Sequence, residues 1–355
     1  MRVTIIAEAG VNHNGSLEMA LRLVDAAADA GADAVKFQTF VAAAVVCSNA
    51  AKAEYQQLTT GAQESQLEMI RKLELGPEDF DALRCHCRER GIEFLSTPFD
   101  LQSLDLLLRL GVSRLKLPSG EITNGPFLLA AARAGLPLLL STGMSGLGEV
   151  ETALGVLAFG LLEPRAEPGP EDFALALASP AGQERLRDNV TLLHCTTEYP
   201  APLADVNLRA MATLEAAFGL PVGYSDHTKG ITVPVAAAAL GARVLEKHLT
   251  LDNALPGPDH KASLDPAAFK DMVAAVREVE LCLGDGRKRL TPCERGNRAV
   301  ARRSLVAARP IRAGEPFSPE NLTAKRPGTG RSPLDYWSLL GRPADRNYDP
   351  DEGIA

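Results

Sequence analysis

The sequence predicts a (β/α)8 barrel with a small domain appended near its C-terminal end, and three observations point there. Short apolar or β-branched runs alternate with helical stretches eight times within the first 283 residues. The runs are apolar throughout, as in strands of an all-parallel sheet covered on both faces. No Gly-x-Gly-x-x-Gly follows the first run to support an open dinucleotide-binding sheet, and 355 residues leave room beyond a single barrel of about 250.

The first strand, residues 3–7, runs into a polar turn over 8–15. Ser16 caps a helix over 17–30, with Glu18 in its first turn and Gly31 just past its end. A second strand covers 34–39. Residues 40–65 show no clear period, and long irregular segments in compact enzymes are often functional loops or lids. The alternation resumes with helix 79–90, strand 92–96, helix 101–110, strand 113–117, helix 124–134, strand 136–140 and helix 147–159. After a polar, Pro-rich stretch over 163–188 come strand 190–193, helix 208–218, strand 222–225, helix 232–240, strand 243–247 and helix 266–283. Residues 1–283 thus read as the barrel and 284–301, rich in Gly, Arg and Lys, as a linker. Residues 302–355 consist of short apolar pieces between Pro and Gly; such a segment buries little surface alone and is expected to pack on a barrel.

Lys and Arg total 37 against 45 Asp and Glu, a net charge of −8 without long like-charge blocks. That balance argues for a soluble protein and against nucleic acid or an anionic membrane as partner, so an anionic substrate needs locally placed bases. The six cysteines form no C-x-x-C pair, which favours a reducing cytoplasm. Cys85-His86-Cys87 lies in a polar helical pattern with no second cluster to complete a zinc site. The apolar run at 3–7 is too short for a signal peptide or a membrane span.

In this barrel class chemistry collects at the C-terminal ends of the strands, and the polar residues cluster there. Strand one ends in Glu8; Lys36 and Gln38 alternate onto one face of strand two; Ser96 and Thr97 close strand three. Lys116 and Ser119-Gly120-Glu121 follow strand four, and Ser141-Thr142-Gly143 strand five. Strand six ends in His194 with Thr197 and Tyr199 beyond it, strand seven in Ser225-Asp226-His227, and strand eight in Glu246 and His248. Any one Ser or Thr here reads as a turn former or cap, and any one Lys as a snorkelling or paired side chain. Eight such coincidences make a ring that is costly to desolvate unless it binds something.

His227 and His248 are 21 residues apart, about one helix plus one strand, which places both imidazoles on adjacent strand ends. With Asp226, Glu246 and Asp259 nearby they suit a divalent ion of intermediate hardness such as manganese, acting as a Lewis acid on a carbonyl oxygen. The lysines, hydroxyls and glycine backbone suit a phosphate or carboxylate. An anionic phosphorylated substrate held beside a carbonyl compound implies carbon–carbon bond formation. The competing readings are a Schiff-base aldolase using Lys36, Lys116 or Lys247, and a non-catalytic carbohydrate-binding protein on an inert barrel.

Nine motifs now stand in order: Ile6-Ala7-Glu8-Ala9-Gly10-Val11-Asn12-His13-Asn14-Gly15, Val35-Lys36-Phe37-Gln38-Thr39, Ser96-Thr97-Pro98-Phe99, Lys116-Leu117-Pro118-Ser119-Gly120-Glu121, Ser141-Thr142-Gly143-Met144, His194-Cys195-Thr196-Thr197-Glu198-Tyr199-Pro200, Tyr224-Ser225-Asp226-His227-Thr228, Glu246-Lys247-His248-Leu249-Thr250 and Pro256-Gly257-Pro258-Asp259. In this order they resemble the sialic acid (N-acetylneuraminate) synthase family, and Lys325-Arg326-Pro327-Gly328-Thr329-Gly330 resembles its C-terminal antifreeze-like (SAF, β-clip) domain.

The resemblance implies a metal-dependent condensation of phosphoenolpyruvate with an N-acetylated mannose-type sugar, giving a nine-carbon 2-keto acid and phosphate. It implies His227 and His248 as ligands of a divalent metal, manganese first, then magnesium or cobalt. Lys36, Thr97, Lys116, Ser119, Ser141 and Ser225 correspond to the phosphoenolpyruvate-binding set; Gln38, Glu121, Tyr199 and Asp259 to sugar contacts; and Glu8 to the carboxylate near the reacting aldehyde. Glu8, Glu121 and Asp259 are the carboxyls available for proton transfer, unranked by sequence. Arg326 corresponds to the arginine that, in the family's domain-swapped homodimer, reaches into the partner's barrel to hold the acetamido group. Thr197 departs from the Asn of many neuraminate synthases. With residues 257–263 it brings the chain nearer to the N,N'-diacetyllegionaminate branch, whose acceptor, 2,4-diacetamido-2,4,6-trideoxymannose, has fewer hydroxyls and calls for a more apolar pocket.

Overall fold

Each strand of the larger unit is apolar on both faces because each face meets a different core. The computed structural model describes residues 2–48, 50–52, 64–169 and 171–354, and the chain divides into two compact units, Met1–Gly284 and Asp285–Ala355. In the first, β1 (Thr4–Gly10), β2 (Ala34–Thr39), β3 (Glu93–Pro98), β4 (Leu115–Leu117), β5 (Leu138–Ser141), β6 (Val190–Cys195), β7 (Val222–Asp226) and β8 (Val244–His248) form one sheet in the order β3-β2-β1-β8-β7-β6-β5-β4. The recorded pairings are all parallel, and β1 pairs with β8, so the chain's first and last barrel strands meet. β3 and β4 lie side by side without a ladder among the described residues, which leaves the barrel nearly closed.

Outward-facing residues such as Ile5, Val35 and Phe37 join one large core with the surrounding helices, through Leu23, Leu83 and Leu157 among others. Inward-facing Ile6, Ala34, Leu95, Leu139, Leu193 and Val244 form a separate layer inside the barrel. Gly223 completes that layer on β7, where a Cβ would stand 2.5 Å from the Val244 carbonyl oxygen and 2.7 Å from Leu193 Cδ2. Side chains on a strand return to the same face every second residue. The next inward positions are therefore Glu8, Lys36, Thr97, Ser141, Cys195, Ser225 and Glu246, and the polar ring is the layer above the apolar one.

Three expected segments differ. Residues 163–188 contain two helices, Asp172–Ala178 and Pro180–Asn189; Ser179 caps the second from Gly182 N, with Pro180 in its first turn. Polar composition concealed them because they pack mainly on the helix Leu147–Leu162, with only the second also touching β6. Within 40–65 there is a short helix, Ala42–Val45, and a capping box on Ser65 and Glu68 starts Gln66–Arg71. The rest of that loop or lid segment, 49 and 53–63, lies outside the described residues. The expected linker carries the helix Glu294–Ala301. In the smaller unit β9 (Ser304–Ala307) and β10 (Leu322–Lys325) pair antiparallel over a core that includes Leu305, Ile311, Phe317, Leu322 and Tyr348.

Candidate active site

A cavity of about 330 Å3 opens at the C-terminal ends of the strands. Of the fifteen residues expected at a site, all but Glu121 and Arg326 line it. Glu121 sits half-buried and accepts from Asn124 Nδ2 at 2.6 Å; Arg326 is an exposed residue of the smaller unit, just after β10.

The floor holds two cations against two carboxylates, each no more than 5% exposed at the side chain. Lys36 Nζ lies 2.7 Å from Glu8 Oε2 and 3.7 Å from Glu246 Oε2, and donates to Thr97 Oγ1 at 2.8 Å. Lys116 Nζ is 3.4 Å from Glu246 Oε1, which also accepts from Ser225 Oγ at 2.7 Å. Burial alone would raise Glu246, yet Lys116 and Lys36 hold it well below the carboxylate range. Burial likewise opposes the charge on Lys36, but Glu246 and Glu8 keep its ammonium above the ordinary value; on Lys116 burial wins and the value falls. The sequence placed Glu246 beside the histidines; its pairing with the two lysines was not foreseen. The signal was its place one inward step below His248.

Beside Lys116 is a set of hydroxyls with unused hydrogen-bonding capacity. Ser119 Oγ accepts from Gly143 N at 2.9 Å and lies 3.2 Å from Cys195 Sγ. Ser141 Oγ and Thr197 Oγ1 are buried with no hydrogen-bond partner in the protein. A Cβ on Gly143 would stand 2.3 Å from Thr197 Oγ1 and 2.8 Å from Ser119 Oγ, so only glycine lets these groups converge. Buried hydroxyls left unpaired are costly, and an anion supplies the missing acceptor.

The two imidazoles face each other with ring centroids 5.6 Å apart, and Tyr199 lies 4.2 Å from the His227 ring and 5.6 Å from that of His248. His227 Nδ1 donates to the Thr196 carbonyl at 2.6 Å, which fixes the tautomer and leaves Nε2 as the lone-pair nitrogen. His248 Nδ1 is buried without a hydrogen-bond partner, 3.9 Å from Asp259 Oδ2. Burial lowers both histidines, and burial with the charge of Glu8 pushes the Asp259 carboxyl up to about 7. No group of three His, Cys, Asp or Glu side chains placed to hold a metal occurs among the described residues. What the cavity offers a divalent ion is the imidazole pair, His227 with Nε2 left as its lone-pair nitrogen and His248 with a buried, unbonded ring nitrogen.

The cavity also carries an apolar lining: Phe40, Val45, Val46, Met69, Ile70 and Phe99. Phe40 and Phe99 meet edge to face at 6.3 Å. Sequence reasoning missed this wall because half of it comes from the stretch with no periodicity and the rest from Met69, Ile70 and Phe99, which no motif marked as facing the site.

The geometry also bears on the readings set aside or held in competition. His86 pairs with Asp25 at 2.9 Å, and burial pushes the Cys87 thiol up to about 12, which makes the Cys85-His86-Cys87 segment part of helix packing. Lys247 is fully buried outside the cavity lining, and Lys36 is tied to two carboxylates; neither is a free amine for a Schiff base.

Behind Asp259, His260 Nδ1 bonds Thr250 Oγ1 at 2.7 Å, and His13, fully buried, receives Gly15 N at Nδ1. Burial drives both histidines down to about 4. Between pH 6.5 and 4 the unfolded chain binds a proton at each that the native state refuses, so their contribution is complete above 6.5 and is lost as pH falls through 4. On the order of 3 kcal/mol is at stake at His13. In urea titrations at pH 7 and pH 4.5, His13→Gln is expected to show a smaller acid loss than wild type; an equal loss rejects the assignment.

Taken together, barrel and cavity set a buried lysine and hydroxyl cradle suited to an anion at the strand ends, beside a buried imidazole pair, the layout of a barrel enzyme. The chain belongs to the NeuB family, which it matches over residues 23–288, and carries a SAF domain over 302–355. It is 49% identical to the N,N'-diacetyllegionaminic acid synthase of Campylobacter jejuni, the match covering 99% of each chain. It is 47% identical to the enzyme of the same name from Legionella pneumophila, over 96% of this chain and 90% of that one. Among solved structures, the N-acetylneuraminic acid synthetase of Leptospira borgpetersenii, crystallised with citrate, is 34% identical and superposes with a TM-score of 0.67, over 84% of this chain and 90% of that one.

Proposed function

We propose that this chain condenses phosphoenolpyruvate with 2,4-diacetamido-2,4,6-trideoxymannose to give N,N'-diacetyllegionaminate and phosphate, with N-acetylmannosamine as the poorer acceptor. The observation that carries this reading is the mixed lining of one cavity, a buried lysine and hydroxyl cradle together with an apolar wall. The cradle suits the phosphate and carboxylate of phosphoenolpyruvate; the wall suits a sugar that presents a methyl group and acetamido groups in place of hydroxyls. The high identity to two legionaminic acid synthases supports the same choice.

Lys36 and Lys116 offset the anion's charge, and the open hydroxyls of Ser141 and Thr197 take its oxygens. Gln38 Nε2, donating to Glu8 Oε1 at 3.1 Å, holds that carboxylate in place. The two imidazoles would hold a divalent ion, manganese by their donor type with magnesium or cobalt as substitutes, and bound there it would polarise the acceptor aldehyde. C3 of phosphoenolpyruvate attacks the aldehyde carbon, water adds at C2, and phosphate leaves by C–O cleavage. Of the three carboxyls considered for proton transfer, Glu8 and Asp259 line the cavity and Glu121 does not.

Phosphate release is to be compared with each acceptor, with and without chelator. Chelator-sensitive turnover favouring the diacetamido sugar is the expected result. Preference for N-acetylmannosamine rejects the branch, and a borohydride-trapped adduct with a keto acid rejects the mechanism in favour of an aldolase.

The proposed assembly is a cytoplasmic, domain-swapped homodimer in which Arg326 of one protomer holds the acetamido group in the barrel of its partner. No helix among the described residues is long and apolar enough to cross a membrane. Arg326→Ala is expected to raise KM for the acceptor about tenfold, the loss of one charge-assisted contact. Mixed dimers of Arg326→Ala and His248→Ala protomers should recover one intact site if the arginine crosses the dimer. No recovery places it within its own chain.

A further inference from the structure

The last rungs of the β7–β8 ladder are laid out in alternation. Ser225 pairs with Glu246 and Asp226 with Lys247 in register. The first rung faces the cavity, the second faces away from it, and His227 and His248 follow at the cavity again. The outward rung is an ion pair with both side chains at 0% exposure, Lys247 Nζ lying 2.6 Å from Asp226 Oδ2. Thr228 ties it off: its amide and hydroxyl donate to Asp226 Oδ1 at 3.0 and 2.9 Å, and its carbonyl accepts from Lys247 Nζ. The bonds therefore clasp the chain on both sides of His227 and directly before His248.

A buried ion pair is seldom more stabilising than an apolar pair of the same volume, so stability alone does not account for this one. Its cost changes sharply with register, however. A slip of one residue turns every side chain to the opposite face, where the two charges lose each other and the imidazoles lose the cavity.

We propose that the buried Asp226–Lys247 pair, closed by Thr228, is a register lock that positions His227 and His248 for joint coordination of one divalent ion. The inference rests on reading those histidines as a metal pair. Asp226 and Lys247 are positioning residues: neither lines the cavity.

The test compares Asp226→Asn, Lys247→Met and the double variant with wild type, reading the melting temperature in chelator, the manganese dissociation constant by titration calorimetry, and kcat against KM for phosphoenolpyruvate. Lys247→Met alone strands a buried carboxylate and should melt early. The neutral double variant should melt near wild type yet bind manganese about tenfold more weakly, as is typical when outer partners of a metal site are lost. Its kcat should fall by a similar factor, with KM little changed. Should the methionine variants fail to fold, Asp226→Asn, which can keep both bonds from Thr228, supplies the same comparison. A folded double or Asp226→Asn variant with wild-type manganese affinity and kcat overturns the lock. If wild type binds no manganese, the metal reading falls instead, and the lock then stands or falls on kcat in the folded variants.

Discussion

His248→Ala is expected to lower phosphate release by roughly 10³-fold, since Lewis-acid activation contributes several kcal/mol to such a step. The fold should be unaffected in chelator, because the substitution removes a buried ring nitrogen that has no hydrogen-bond partner in the protein. His227 differs in this respect. Its Nδ1 bond to the Thr196 carbonyl fastens the segment after β6 to the end of β7, so His227→Ala should lose both turnover and stability. The contrast separates coordination from scaffolding: one variant inactive and folded, the other inactive and loosened. Calorimetry would then show manganese binding lost in both. Retained turnover in a folded His248→Ala protein rules out the metal-assisted reading and returns attention to Lys116, the cavity lysine that burial lowers.

The barrel was legible because its cause is periodic. Ile6 and Glu8, Ala34 and Lys36, Leu139 and Ser141, Val244 and Glu246 each place an apolar and then a polar residue on one strand face, and that two-residue step needs no tertiary information. That step reached most of the polar ring, and the ordered motifs reached Ser119, Thr197, Tyr199, Asp259 and the two histidines beyond it. What neither pattern announced was missed. The apolar wall belongs to residues 40–46 and 66–70 and to Phe99, where no period announces a facing direction. Glu121 follows β4 by a 3-10 turn, Ser119–Glu121, which directs it to Asn124 instead of the cavity. The Asp226–Lys247 pair was hidden for a further reason: a Lys next to a His reads as part of the same chemistry, and only the pleat separates the two faces.

Glu246→Gln carries the second large effect, and it concerns charge rather than coordination. A carboxylate in an anion-binding floor looks self-defeating, since it repels the substrate. With the site empty, however, Glu246 is what makes Lys36 and Lys116 tolerable side by side at 3–5% side-chain exposure. Removing its charge leaves two buried ammoniums with Glu8 as their nearest counter-charge, and breaking such pairs costs about 3–5 kcal/mol. The neutral amide still accepts from Ser225, which favours the lower end. At 2–4 °C per kcal/mol for chains of 150–250 residues, a fall of roughly 5–10 °C in Tm is expected without ligand. Added phosphate should then raise the Tm of Glu246→Gln by more than it raises that of wild type, because the anion replaces the missing charge. Lys116→Met gives the opposite sign, with the phosphate-induced rise reduced or abolished. Turnover should fall in both, for different reasons: the first floor binds phosphate too readily and releases it slowly, the second binds phosphoenolpyruvate poorly. A Glu246→Gln protein with wild-type Tm and a wild-type response to phosphate refutes this balance of charges, and the lysines would then be held by the barrel's packing alone.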